Sequence, residues 1–312
     1  MGRVPHETEA QIKESMMNAM KEYWSDANLL ELASGFIDYQ YKEGFTFSAL
    51  TQVNFHMISN RRDQTFIHRL AAVEILILAL DIFDDLQDQD TEDRPWTQSP
   101  SASTMNIATG FLLLSVSIIE RSNMDESCKW KIIPYINQQV LKAVQGQHQD
   151  LSTDIQSENE YLQMIRRKSG SLMACASLVG AASASKEHQE IIYQYSEYLG
   201  MAAQLANDLK DVTRVDGKND LFNKKKTLPI IQLLSEDCIE ARWVRDYFDE
   251  KVTCEFIVAN KLPLFSWIEK SSALKYTQVM KRLYQLKALR EIESLEVADH
   301  WKSELTTMVE EF

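Results

Sequence analysis

Residues 72–96, AVEILILALDIFDDLQDQDTEDRPW, run a nearly unbroken apolar stretch straight into a dense set of carboxylates. On an α-helix, Asp81, Asp84 and Asp88 fall at i, i+3 and i+7 with Asp85 one step round, so three or four carboxylates crowd one face. Like charges at that spacing repel, and the C-terminal end of a helix disfavours anions further. A cation should offset them. Hard divalent ions take oxygen ligands, and Mg²⁺ is commonly held by one or two carboxylates plus substrate phosphates. The plain alternative is a solvated helix end, the usual fate of a run such as QDQDTED. Against it stands ILILAL, apolar on all sides, which predicts a helix buried in the middle of a bundle with its carboxylates at a cavity mouth.

The wider composition agrees with helices throughout. Nine Gly and six Pro are few for 312 residues, strong helix formers are plentiful, and neither βαβ alternation nor a hairpin signal occurs. The predicted fold class is all-α, a helical bundle around a central cavity, with residues 1–312 as one domain. A net charge of −13 excludes a nucleic-acid binder, which needs a basic face. A phosphate-bearing ligand must therefore be met by local lysines or by metal. Cys128, Cys175, Cys238 and Cys254 lack zinc spacing and a disulfide framework, which fits a reducing cytosol. No signal peptide is expected, and no segment is expected to reach the roughly 18–20 apolar residues of a membrane span. A cytoplasmic protein follows, with a peripheral place at the membrane left open.

Along the chain, helical spacing predicts helices at about 7–24, 26–41 and 46–59, with Gly44 punctuating the second connection and a turn at RRDQ. The central helix covers about 64–90. Helices at about 104–121, 127–152, 157–183 and 187–213 follow; Pro134 either kinks the second of these or marks its first turn. A charged loop with Gly217 leads to Pro229 at the start of another helix, and three or four helices fill 236–312.

A second acidic constellation lies in GMAAQLANDLKDVTRVDGKNDLFNKKKTLP, residues 200–229. Gln204, Asp208 and Asp211 share one helix face at i, i+4 and i+7, with Asn207 beside them. Alone, NDLKD is more often a surface pattern and KKK a solvated loop. Facing DDLQD across a bundle, however, it would complete a two-sided clamp for metal-bound diphosphate. Lys168, Lys225, Lys218 and Arg94 are the candidate diphosphate-binding cations.

This set resembles the trans-isoprenyl diphosphate synthase family: a DDxxD motif at Asp84, Asp85 and Asp88, a second motif at Asn207, Asp208 and Asp211, and DLxxxKxTLP from Asp220 to Pro229. QGQHQDL at 145–151 and RRKSGSL at 166–172 are also similar, over roughly residues 30–235. The resemblance implies an allylic diphosphate held by Mg²⁺, with Asp84, Asp85, Asp88 and Asp208 catalytic. The implied metal ligands are Asp84, Asp88, Asp208, Asp211 and Asn207, with Asp81 added. The isoprenoid tail would lie along Ala79 and Leu80, and Gln147 and His148 would orient substrate or the metal shell.

The sequence departs from the family where chain-elongating synthases grip a second diphosphate. Their GGKxxRP segment is replaced by EGFTFSALTQ, and only Arg94 follows the first motif. Within the family the chain is most similar to the ComQ-type isoprenyltransferases, on EILILALDIFDDLQDQD, VQGQHQDL, IRRKSGSL and MAAQLANDL. That similarity implies transfer of a geranyl or farnesyl group from its diphosphate to a tryptophan of a competence pheromone precursor peptide. Indole C3 would attack C1 as pyrophosphate leaves, and the indole would then close a ring on its own backbone nitrogen. A homodimer is implied as well. The rival readings are a chain-elongating synthase, which lacks the acceptor grip; a terpene cyclase, whose third ligand position is Val215; and a non-catalytic synthase subunit, which should have lost the first motif.

Overall fold

The computed structural model describes residues 4–59, 66–88, 94–152, 155–214 and 219–312. These form fifteen α-helices and no strand among the described residues. The N-terminal helices are α1 (His6–Tyr23), α2 (Ala27–Glu43), α3 (Thr46–Ile58), α4 (Phe66–Gln87), α5 (Ser101–Arg121) and α6 (Glu126–Leu151). Next come α7 (Glu158–Ile165), a π-helical turn (Arg166–Gly170), α8 (Ser171–Gly180) and α9 (Lys186–Asp211). The chain continues with α10 (Leu228–Ser235), α11 (Ile239–Phe248), α12 (Cys254–Ala259), α13 (Lys261–Lys270), α14 (Ser272–Ser294) and α15 (Asp299–Glu310).

Helix α4 is the axis of the bundle, as ILILAL predicts: every residue from Arg69 to Ala79 is buried. It packs most extensively on α5, while α9 packs on α14. Local signals set the ends. Asp26, Ser157 and Ser185 cap α2, α7 and α9 by accepting from the backbone N–H three residues on. Gly44, between α2 and α3, has φ 103°, a conformation that L side chains rarely adopt. Two buried ionic groups tie helices together. Arg69 donates to the carbonyls of Val179 and Gly180 at the end of α8, each at 2.9 Å. The Glu74 carboxylate accepts from Ser48 N–H in the first turn of α3, whose N-cap residue, Phe45, supplies no side-chain bond. Burial pushes Glu74 up to about 8, against the Ser48 bonds that pull it down.

Several expectations shift. The stretch predicted as one helix over 157–183 is α7, a π turn and α8. Pro134 lies in the interior of α6, not in its first turn. Five helices, α11 to α15, fill the C-terminal part, where Val212, Leu221, Ile230, Leu233, Val244 and Ile268 share a second core. One described helix, α5, is long and apolar enough to cross a membrane, contrary to the expectation; its Ile107, Phe111 and Ile119 are buried in the main core. The RRDQ turn, Gly217, Val215 and Lys218 lie outside the described residues.

Candidate active site

A cavity of about 660 Å³ opens between α3, α4, α6, the π turn and α9. Leu80, Asp81, Phe83, Asp84 and Gln87 reach it from α4, and Ala143, Val144, Gln147, His148 and Leu151 from α6. Lys168, Ser169, Leu172 and Met173 face them, with Gly200, Ala203, Gln204 and Asn207 of α9. Thr46, Phe47 and Phe312 complete the lining.

The π turn positions Lys168. A π turn carries one extra residue over a helical turn, and such bulges recur at functional sites. Two glycines let it fit between α6 and α9. A Cβ on Gly146 would stand 2.3 Å from Lys168 N, and one on Gly200 would stand 2.5 Å from Ser169 O. Held there, Lys168 Nζ lies 2.7 Å from Asp150 and 3.2 Å from Asp84. Burial alone would pull its pKa down, but Asp150 and Asp84 push it up, so it stays charged. Across the site Lys225 Nζ lies 2.5 Å from Asp88 and is likewise raised by that carboxylate against its burial.

The structure thus brings Asp84, Lys168, Asn207 and Gln204 to the cavity lining; the Asp88–Lys225 pair is not among the lining residues but lies within electrostatic range of Asp150 and Lys168. It turns other predicted residues elsewhere. Asp85 is buried, its Oδ2 accepting from Arg94 Nη1 and from Trp96 Nε1, each at 2.6 Å. Neither Asp85 nor Arg94 is among the cavity-lining residues, because position 85 points round α4 toward the segment that follows it. Ala79 is also off the lining face and fully buried in the core; Phe83, one turn beyond it, takes the place at the cavity. Asp208 is buried and bonded by the Tyr161 hydroxyl and, at 3.1 Å, by Gln204 Nε2. Asp211 lies 3.5 Å from Arg214. Gln147 and His148 line the cavity, Gln147 donating to Gln87 at 3.0 Å.

Three participants escaped the motif reading. Asp150 pairs with Lys168, Tyr161 bonds Asp208, and Asp220 accepts from Thr227 at 2.9 Å. Asp150 and Asp220 sit inside quoted motifs, QGQHQDL and DLFNKKKTLP, so a signal existed; nothing local marks Tyr161. Burial, with mutual repulsion, drives Asp208 well above the ordinary carboxylate range. Asp220 rises to about 7, chiefly through burial; Asp81, exposed at the cavity, also rises to about 7, through desolvation by the surrounding protein and repulsion from Asp84 and Asp85.

Among the described residues no three acidic, His or Cys side chains converge closely enough to hold a metal alone. The donor set nevertheless fits a hard divalent cation that draws its remaining ligands from phosphate. It is all oxygen and comes from two helices, and its buried member Asp208 is held well above the ordinary carboxylate range by burial, then by repulsion from Asp220.

The comparisons agree with this geometry. Residues 44–260 match the polyprenyl synthetase family. The tryptophan prenyltransferase ComQ of Bacillus subtilis strain 168 is 29% identical over 284 residues, covering 89% of this chain and 90% of that protein. Its counterpart in Bacillus subtilis subsp. natto strain BEST195 is 33% identical over 197 residues, covering 63% of this chain and 61% of that one. The crystal structure of the polyprenyl synthase of Caulobacter crescentus, complexed with calcium and isoprenyl diphosphate, has a TM-score of 0.80. It is 20% identical, with 97% of this chain and 93% of that chain covered. With a cavity set between two acidic helices and its lysines aimed at them, this all-α chain belongs to the polyprenyl synthetase family and is a prenyltransferase.

Proposed function

We propose that the chain moves a geranyl or farnesyl group from its diphosphate to a tryptophan of a pheromone precursor peptide, with Mg²⁺ as cofactor. One observation carries the reading: among the described residues that line the cavity, Lys168 is the sole lysine or arginine. It is paired with Asp84 and Asp150, and Thr46, Phe47 and Phe312, which line the same cavity, offer no cation for a second diphosphate. The acceptor is therefore uncharged at its reacting end, which fits an indole and agrees with the name of the ComQ relatives.

In this reading Lys168 and Lys225 hold the donor's phosphate oxygens, and Leu80, Phe83, Leu172 and Met173 house its tail. Asp84, Asp88 and Asp208, with Asn207 and Asp211 beside them, are the residues that would hold Mg²⁺. Held there, Mg²⁺ would supply Lewis-acid stabilisation of the charge on the departing pyrophosphate. The walls keep water from the allylic cation, and an electron-rich indole placed against C1 needs no activating Ser, Cys or His dyad. A homodimer is part of the proposal.

The test mixes the purified chain with Mg²⁺, geranyl or farnesyl diphosphate, and a panel of tryptophan-containing peptides. A peptide mass gain of one prenyl group supports the proposal. Elongation of isopentenyl diphosphate, a cyclised hydrocarbon, or no turnover would each sink it in favour of a synthase, a cyclase or a silent subunit.

A further inference from the structure

The carboxylates of α4 are unequal. Asp84 is paired with Lys168, Asp85 with Arg94 and Trp96, and Asp88 with Lys225. Asp81 makes no hydrogen bond or ion pair with any described residue; Arg94 and Lys168 act on it only through space. It faces the cavity with Thr46, Phe47 and Phe312.

Its neighbourhood is held in place by Glu74, two turns earlier on the same face of α4. Because Glu74 takes the Ser48 N–H, the first turn of α3 is docked against α4, and Phe47, next to Ser48, lines the same cavity as Asp81. Phe312 is fixed by Lys281, whose ammonium donates to its carbonyl. In its ionised form, which prevails above about pH 7, the Asp81 carboxylate repels a second diphosphate and calls for a donor from whatever enters. Aromatic side chains beside it favour a flat, apolar partner. A neutral aromatic ring with one N–H meets both conditions.

The chain already contains such an arrangement one residue-pair away. The indole of Trp96 donates Nε1–H to Asp85 at 2.6 Å, with Phe36 and Tyr39 edge-on to its ring at 5.8 and 5.3 Å. We infer that Asp81, Phe47 and Phe312 form the acceptor subsite, in which the Asp81 carboxylate accepts the N–H of the acceptor's indole while the two rings hold its faces and edge. Asp81 is then an acceptor-binding residue and not a metal ligand. The inference rests on the tryptophan transfer proposed above. It adds that the bond to N–H fixes which way the indole presents C3 to the donor and leaves that carbon electron-rich.

The probes are 3-methylindole and 1,3-dimethylindole, in which a methyl group replaces the N–H hydrogen, titrated against the purified chain by calorimetry with Mg²⁺ and inorganic pyrophosphate present. The wild type should bind 3-methylindole about tenfold more tightly, the worth of one charge-assisted hydrogen bond. Asp81→Ala, which removes the carboxylate and leaves room for the methyl group, should bind the two alike. Phe47→Ala should weaken both without changing their ratio. Thermal unfolding checks each variant, and Asp81→Asn, which keeps an acceptor oxygen, should give an intermediate ratio. Equal affinities in the wild type, or a tenfold ratio kept by Asp81→Ala, would overturn the assignment. The peptide assay separates the two proposals. A wild type that discriminates the indoles yet prenylates no tryptophan peptide keeps the subsite and loses the peptide reading. One that prenylates tryptophan and 1-methyltryptophan peptides equally loses the subsite and keeps that reading.

Discussion

Adding one methyl group at Gly146 tests whether close packing of the π turn sets the position of Lys168. The new Cβ would stand 2.3 Å from Lys168 N and 2.8 Å from both Arg167 C and Lys168 Cα. All three are backbone atoms, so no side chain can swing aside. Restoring ordinary contact requires the turn to retreat by about 1 Å, and α9 stands behind it, where Gly200 already leaves no room at Ser169 O. Overpacking of this kind costs about 1–3 kcal/mol, partly offset by roughly 1 kcal/mol gained on replacing Gly by Ala in a helix. The functional effect should be larger. Lys168 spans 2.7 Å to Asp150 and 3.2 Å to Asp84, and a misplacement of about 1 Å at a positioning group can lower turnover on the order of 100-fold.

Pyrophosphate release under saturating donor measures the turnover of Gly146→Ala, and thermal unfolding measures its stability. Gly35→Ala is the control: nothing lies within 4 Å of its Cβ, so it should gain about 0.5–1 kcal/mol and keep wild-type turnover. If Gly146→Ala retains turnover within twofold of wild type, the packing argument for Lys168 is wrong.

Three further outcomes are expected. Lys168→Ala leaves Asp84 and Asp150 without their shared cation and should cut the kcat of pyrophosphate release roughly 100- to 1000-fold, as loss of one preorganised electrostatic contact does. Asp84→Ala should abolish turnover with the bundle intact by circular dichroism, whereas Asp85→Ala, which strands Arg94 and Trp96, should cost about 3 kcal/mol in urea unfolding. Glu74 binds its proton more tightly folded, at about 8, than unfolded, so its contribution to stability is lost as pH rises from about 4.5 through 8. Glu74→Gln, which resembles the protonated form, should flatten that decline; a wild-type midpoint that rises across this window would contradict the assignment.

The helix content, the axis at α4 and the acidic faces of α4 and α9 were legible in the sequence because each rests on periodicity within one segment. Helical spacing alone assigns Asp81, Asp84 and Asp88 to one face. What stayed hidden depends on contacts between segments. The π turn adds one residue to a helix, and its cause, the room left by Gly146 and Gly200, lies in two other helices. Tyr161 meets Asp208 across 47 positions of sequence, with no local pattern to announce it. Ala79 was misplaced for a simpler reason: counting four or five residues back from Asp84 includes both the cavity face and the core face of α4, and only Leu80 lies on the first.

Arg94 shows how one such contact changes the functional argument. In the sequence it is the last cation after the first acidic motif and the natural candidate to grip a second diphosphate. In the structure its guanidinium is bound to Asp85 at 2.6 Å and lies 5.8 Å from the Trp96 ring, and Trp96 is itself buried and bonded to the same carboxylate oxygen. Moving Arg94 to an incoming anion would leave Asp85 buried without its cation, at a cost of several kcal/mol. The pairing therefore removes the acceptor side's remaining cation while it anchors the segment after α4 to the core. With Lys168 paired with Asp84, and Lys225 with Asp88 just past α4, the described residues that line this cavity offer one lysine and no arginine to a diphosphate.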